Sequence, residues 1–249
     1  MPIVEIKNLT KHFPDGTIAL QDVSLTINKG EFLILCGKNG SGKTVLMRHM
    51  NGLYRPTKGE IFYEGESIKK HPDRIRQKIG LVFQNPDSQI IGQTVYRDTA
   101  FGPENLGLKR EEIDRRVKEA LKNVELLKMS DHRPHLLSGG EKKRLSIAGI
   151  LAMKPEIIIF DEPFSNLDYP GVRSILNKII DLHKNGHTII LITHDLEKAL
   201  GHADRVVVMY GGRVVENNTP KNILDRVEKW GIRRPDILNR RIEDITWLK

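Results

Sequence analysis

The sequence predicts an α/β fold: a mainly parallel core sheet, an antiparallel β subdomain beside it, and a helical subdomain inserted into it. Three observations carry this. Phe32 to Cys36, Leu81 to Phe83, Ile157 to Phe160 and Thr188 to Ile192 are short, continuous apolar runs, as expected of strands covered on both faces. Helical stretches separate them, which implies βαβ crossovers and parallel pairing. Ahead of all four, Val23-Ser24-Leu25-Thr26-Ile27-Asn28 alternates apolar and polar residues as a half-buried strand does. Ile3 to Ile6 reads similarly, so the chain should begin with an antiparallel pair.

The other elements follow from period and punctuation. Between Arg110 and Leu127, Ile113, Val117, Ala120, Leu121 and Val124 share one helical face, and Glu, Lys and Arg fill the other. Leu145, Ala148 and Leu151, with Ile147 and Ile150 nearby, mark a second buried helix. Val172, Ile175, Leu176, Ile179 and Ile180 mark a third, opening near Pro170 as helices often do. Residues from about 85 to 153 are mostly helical and interrupt the strand series, which makes them the inserted subdomain. Arg205 to Met209 and Arg213 to Glu216 flank Gly211-Gly212, the pattern of a β-hairpin. From Pro220 the chain reads as short helices with a break at Pro235, an extension of about 220–249. No repeat, low-complexity stretch or linker divides it, so residues 1–249 read as one domain.

Composition narrows the function. The longest apolar runs have four or five residues, against about 20 for a membrane helix, so no span is expected. Met1 to Asn8 lacks the apolar core of a signal peptide, so secretion is not expected. Cys36 is the lone cysteine, which excludes an internal disulfide and a cysteine-rich zinc cluster. Lys and Arg number 40 against 32 Asp and Glu, a net charge of +8. That charge admits nucleic acid, anionic lipid or a phosphorylated ligand. The cations lie in scattered pairs without an aromatic-interleaved stripe, so no nucleic acid is expected, and solubility accounts for most of the excess.

Gly37-Lys38-Asn39-Gly40-Ser41-Gly42-Lys43-Thr44 matches G-x-x-x-x-G-K-[ST], follows an apolar strand and opens an apolar helix. In that context the glycines let successive backbone N–H groups converge on phosphate oxygens, and the helix N-terminus adds partial positive charge. Lys43 would reach the terminal phosphates and the Thr44 hydroxyl would ligate Mg²⁺. Cys36, just before the loop, reads as a small buried hydrophobe. Ile157 to Phe160 is a second apolar strand, ending in Asp161 and Glu162. Ligands of open α/β sheets bind beyond the carboxyl ends of strands, which sets both acids beside the loop. Asp161 is placed to hold Mg²⁺, mostly through its water. Glu162 would orient or deprotonate the water that attacks the γ-phosphate. Ser138 and Glu141 form S-x-x-E, a capping box ahead of a helix. A capping box does not need Gly139 and Gly140, which bare the backbone N–H groups there and make a second anion site.

In this order and spacing the motifs resemble the ATP-binding subunit of an ABC transporter. The family pattern has a phosphate loop, a loop glutamine, an L-S-G-G-Q signature, an apolar strand ending Asp-Glu, an S-x-L-D loop and a switch histidine. Here these are Gly37 to Thr44, Gln84, Leu137 to Glu141, Ile157 to Glu162, Ser165 to Asp168, and His194. The resemblance implies binding of ATP and Mg²⁺ by Gly37, Asn39, Gly40, Ser41, Gly42, Lys43 and Thr44, with Gln84 touching the metal or the attacking water. It implies that His194, at the start of a helix, faces the γ-phosphate and that Phe13 stacks on adenine. It also implies two cassettes packed head to tail, each nucleotide lying between one phosphate loop and the other subunit's Ser138-Gly139-Gly140, with Asp168 at the interface. Two departures stand out: Glu141 replaces the commoner Gln, and Lys38 stands where Pro is frequent. Neither removes a catalytic group.

Phe83-Gln84-Asn85-Pro86-Asp87-Ser88-Gln89, Phe101-Gly102-Pro103-Glu104-Asn105-Leu106-Gly107 and Phe13-Pro14-Asp15-Gly16-Thr17 are similar to the ATPases of energy-coupling factor importers, which take up vitamins or cobalt and nickel ions. That implies a peripheral subunit on the cytoplasmic face of the cell membrane. Its partners would be an integral membrane coupling subunit, which Gln89 would face, and a substrate-binding membrane subunit. An ATPase of another transporter class is the alternative, and behind it a non-transport ABC ATPase acting on nucleic acid or the ribosome. A chromosome-maintenance ATPase would need a long coiled coil between Gln84 and Ser138, and 54 positions are too few.

Overall fold

β1 (Pro2–His12) and β2 (Ile18–Asn28) pair antiparallel, and both run further than the alternating segments alone indicate. The computed structural model describes residues 1–236 and 241–248. β3 (Phe32–Cys36) leads through the glycine-rich loop into α1 (Lys43–Met50). Three short elements have no sequence-based counterpart: β4 (Lys58–Tyr63), β5 (Glu66–Ser67) and α2 (Pro72–Lys78). β4 buries only Ile61 and Tyr63, too few residues to show a period. The chain continues with β6 (Ile79–Val82), α3 (Val95–Asn105), α4 (Arg110–Asn123) and α5 (Gly139–Leu151). It then alternates through β7 (Ile157–Asp161), α6 (Tyr169–Lys184) and β8 (Thr188–Ile192) to a hairpin of β9 (Arg205–Tyr210) and β10 (Arg213–Asn218).

The strands form two sheets. One is antiparallel in the order β2-β1-β4-β5. The other has the order β10-β9-β3-β8-β7-β6, parallel throughout except for β10 at its edge. Period-two alternation on the central strands fills two cores at once. Phe32, Ile34 and Cys36 of β3, with Ile158 and Phe160 of β7 and Ile189 and Leu191 of β8, face the core shared with α4, α5 and α6. Leu33, Leu35, Ile157, Ile159, Ile190 and Ile192 face the opposite core, shared with the antiparallel sheet and α1. Both faces are covered, so the strands read as unbroken apolar runs.

After β10 come α7 (Pro220–Ile223) and a 3₁₀ turn at Val227–Trp230, the short helices expected there. Of the expected 220–249 extension, residues 237–240 and 249 lie outside the described residues. Residues 241–248 fold back onto the turns that follow β8: Gly201 donates to the Ile245 carbonyl at 2.9 Å and Trp247 to that of Lys198 at 3.2 Å. Among the described residues, no helix is long and apolar enough to cross a membrane.

Candidate active site

The carboxyl ends of β3, β6, β7 and β8 converge on one cleft of about 520 Å³. Phe13, Ala19, Asn39 to Thr44, Gln84, Asp161, Glu162 and His194 line it. The loop after β3 is pressed hard against its neighbours. A Cβ on Gly37 would stand 2.3 Å from the Met209 carbonyl oxygen, so the backbone there requires glycine. The buried Ser41 hydroxyl oxygen has no hydrogen-bond partner among the described residues. An orphan of that kind suits a loop built to meet anion oxygens.

Lys43 is only 7% exposed. Its ammonium donates to the carbonyls of Gly37 at 2.6 Å and Lys38 at 3.0 Å. Burial draws its pKa below the ordinary lysine value, against the opposing pull of Glu162, Cys36 and Asp161. Thr44 Oγ1 donates to Asp161 Oδ2 at 3.4 Å. Burial, and then repulsion from Glu162, push the Asp161 carboxyl above the usual range, partly offset by Lys43. One hydroxyl and one carboxylate are the sparse protein ligands that Mg²⁺ takes when water and phosphate complete its shell.

Glu162 leaves β7 in the left-handed region at φ 45°, a conformation that costs a non-glycine residue about 1 kcal/mol or more. Ser165 holds the turn: its hydroxyl donates to the Glu162 carbonyl at 2.7 Å. Glu162 Oε1 lies 2.8 Å from His194 Nδ1. His194 does not begin an α-helix, contrary to the sequence-based expectation. It lies in a bend, and the apolar residues after it wind as two 3₁₀ turns, Leu196–Lys198 and Leu200–His202. Ala199 divides them because its φ of −140° is outside the helical range.

Phe13 is half-buried and meets Tyr54 edge-on, with ring centroids 5.9 Å apart, while Lys11 Nζ lies 5.3 Å from its ring centre. Ser138, Gly139, Gly140, Glu141 and Asp168 do not line the cleft. Ser138 and Glu141 close a complete capping box on α5: Glu141 N–H donates to Ser138 Oγ at 3.3 Å and Ser138 N–H to Glu141 Oε2 at 2.7 Å. The Ser138 hydroxyl, which donates to Glu141 Oε2 at 2.7 Å, and then the Ser138 N–H hold the Glu141 carboxyl below the usual range. A Cβ on Gly139 or Gly140 would meet nothing within 4 Å, so this helix mouth is open to approach. Asp168 caps α6, accepting from Gly171 N–H at 2.9 Å.

Comparison with known proteins decides the family. The ABC transporter family model matches residues 20–165. The chain belongs to the ABC transporter ATPase family. The EcfA energy-coupling factor ATP-binding protein of Methanocaldococcus jannaschii is 47% identical, over 97% of this chain and 91% of that one. EcfA1 of Clostridium novyi is also 47% identical, over 90% of this chain and 82% of its own. Among solved structures, CbiO1 of Clostridium perfringens, described as part of the ABC transporter complex CbiONQ, superposes with a TM-score of 0.82. It is 38% identical and covers 92% of each chain. A dimeric ATP-binding cassette bound to ADP and Pi is 31% identical, with a TM-score of 0.78, over 87% of this chain and 98% of that one.

Two side chains of the cassette have partners that the motifs do not show. Gln89, expected on the surface facing a membrane subunit, is partly buried and ties backbone together: Oε1 accepts from Phe83 N–H at 2.9 Å and Nε2 donates to the Ser146 carbonyl at 3.1 Å. Lys143 of α5 is 3% exposed. Burial draws its ammonium down to about 8, while Asp161 and Glu162 pull the other way. The sequence signal was available: Lys143, Ile147 and Ile150 are spaced i, i+4, i+7, so the lysine stands on an apolar stripe. Cys36 behaves as expected of a packed hydrophobe. Burial pushes its thiol up to about 12, so it stays protonated.

Proposed function

We propose that this cassette is the ATP-hydrolysing subunit of an energy-coupling factor importer. The observation that carries the reading is the cleft itself: Lys43, the Thr44–Asp161 pair and the Glu162–His194 pair all meet at the carboxyl ends of three adjacent strands. Similarity to EcfA proteins over nearly the whole chain supports the transporter class.

In this reading the phosphate-loop amides and Lys43 bind the β- and γ-phosphates, exchanging the Gly37 and Lys38 carbonyls for phosphate oxygens. Phe13 stacks on the adenine, with Tyr54 bracing its ring from the side. Thr44, Asp161 and Gln84 would hold Mg²⁺, which when bound neutralises charge on the phosphates. Glu162 accepts a proton from the attacking water, and His194 holds the carboxylate in place through Nδ1. Ser138, Gly139, Gly140 and Asp168 face a second cassette, head to tail, and complete that subunit's nucleotide site. Nucleotide then acts as a switchable interface contact, and membrane subunits read the closed and open states. The cassette sits at the cytoplasmic face of the membrane, bound to a coupling subunit and a substrate-binding subunit that handles the micronutrient. Residues 1–249 act as one cassette, with 85–153 as the helical insertion.

The decisive experiment is purification of the chain together with the products of neighbouring genes, followed by ATP-driven uptake in vesicles. The expected result is copurification of an integral membrane protein and uptake that stops when ATP is withdrawn. A cassette that hydrolyses ATP but captures no membrane protein would overturn the importer reading.

A further inference from the structure

The segment from Phe83 to Gln89 carries Gln84 and hangs almost entirely from α5. Lys143 Nζ donates to the Gln84 carbonyl and, at 3.5 Å, to that of Phe83. Gln89 bridges Phe83 N–H to the Ser146 carbonyl, one turn further along α5. Lys142 Nζ reaches Asp87 Oδ1 at 2.8 Å. α5 is also the helix whose first residues carry Ser138, Gly139 and Gly140 at its mouth. A lysine in a core is costly unless it is fully used, and here its partners are two backbone carbonyls of a catalytic loop rather than a carboxylate within bonding distance.

From this geometry we propose that Lys143 is a positioning residue: it fixes the backbone at Gln84, and so the aim of the Gln84 side chain, to the helix that carries the Ser138–Glu141 segment. A displacement of that helix on meeting a second subunit then moves Gln84 directly, without passing through the sheet. The proposal rests on the assignment of Gln84 to the reaction. A plain structural role predicts something different: Lys143 would hold the loop for stability alone, and its loss would not depend on Gln84.

The test is a double-mutant cycle in full-length protein, reading kcat, the Kd for ATP and the thermal midpoint. Gln84→Ala is expected to lower kcat about tenfold. Lys143→Met removes the donor at similar volume. It should lower kcat by a similar factor while leaving the ATP Kd within about twofold. Because both act through one side chain, the double variant should be no slower than Gln84→Ala. Lys143→Gln keeps a donor for one carbonyl and should recover part of the lost turnover. It also carries the cycle if Lys143→Met does not fold. Losses that multiply in the double variant overturn the proposal, as does parental kcat in Lys143→Met beside a slow Gln84→Ala. Parental kcat in Gln84→Ala would instead remove the Gln84 assignment, and the latch with it.

Discussion

The phosphate loop and the Ser138–Glu141 helix mouth, the two regions proposed to hold nucleotide, are built on opposite plans. The phosphate loop is anchored to its own chain at both ends, while Lys38 to Gly40 are exposed between them: Gly37 lies against the Met209 carbonyl, and Lys43 is held by loop carbonyls. The Ser138–Glu141 mouth is open, closed on itself by its own capping box, and is not part of the cleft lining. The first region is complete within one chain. The second has donors and space but no chemistry of its own nearby. A site divided in this way, as proposed above, would be switched by association, because half of its contacts would arrive with a second subunit.

This contrast can be broken or sharpened by graded changes. The largest effect is expected from Glu162→Gln, which keeps the side-chain shape but removes the base. Turnover should fall by about 10² to 10⁴ while ATP binding persists, and a nucleotide-bound dimer should accumulate on size-exclusion chromatography. Parental turnover would dismiss the general-base role. Lys43→Ala comes next. It should weaken ATP at least tenfold in equilibrium binding, through loss of a charge-assisted contact, while thermal stability without nucleotide stays near parental because a buried charge has been removed. Phe13→Ala should cost about 1–3 kcal/mol of nucleotide binding through lost stacking, and Phe13→Trp should preserve it.

Smaller effects separate the open region from the closed one. Ser138→Ala should lower stability by about 1 kcal/mol through the lost cap. In turnover it should matter only through the second subunit, so mixing it with Glu162→Gln cassettes should give dimers with at most one competent site. Glu141 gives the finest test. Its carboxyl is held below the ordinary value in the fold, so its stabilisation is present above about pH 4.5 and fades as pH falls through the depressed value. Glu141→Gln should therefore lower the thermal midpoint slightly at pH 7, and the difference from the parent should shrink as pH falls below about 4.5.

The strand series and the phosphate loop were legible because each leaves a dense local signal: unbroken apolar runs, and fixed glycine spacing ahead of Lys43. The ordering of motifs made the family legible from the sequence. Other features were hidden for physical reasons. β4 and β5 stabilise the fold by pairing with β1 and with each other, and leave few apolar residues to mark them. The break between the two 3₁₀ turns after His194 lies at one backbone angle, that of Ala199, which composition does not reveal. Gln89 and Lys143 are polar residues turned inward to serve backbone groups distant in sequence. Only the tertiary path of residues 83–89 over α5 shows why Lys143 is buried and Gln89 partly so.

One further consequence comes from the quiet environment of Cys36. Its sulfur is fully enclosed on β3, contacts the Val207 carbonyl at 3.6 Å and is held as a thiol. Thiol-directed dyes and spin labels therefore have nothing to react with in the folded protein. A cysteine introduced on the exposed rim near Ser138 would carry the sole reporter, and the distance between two such labels would record the cassettes meeting and parting in real time.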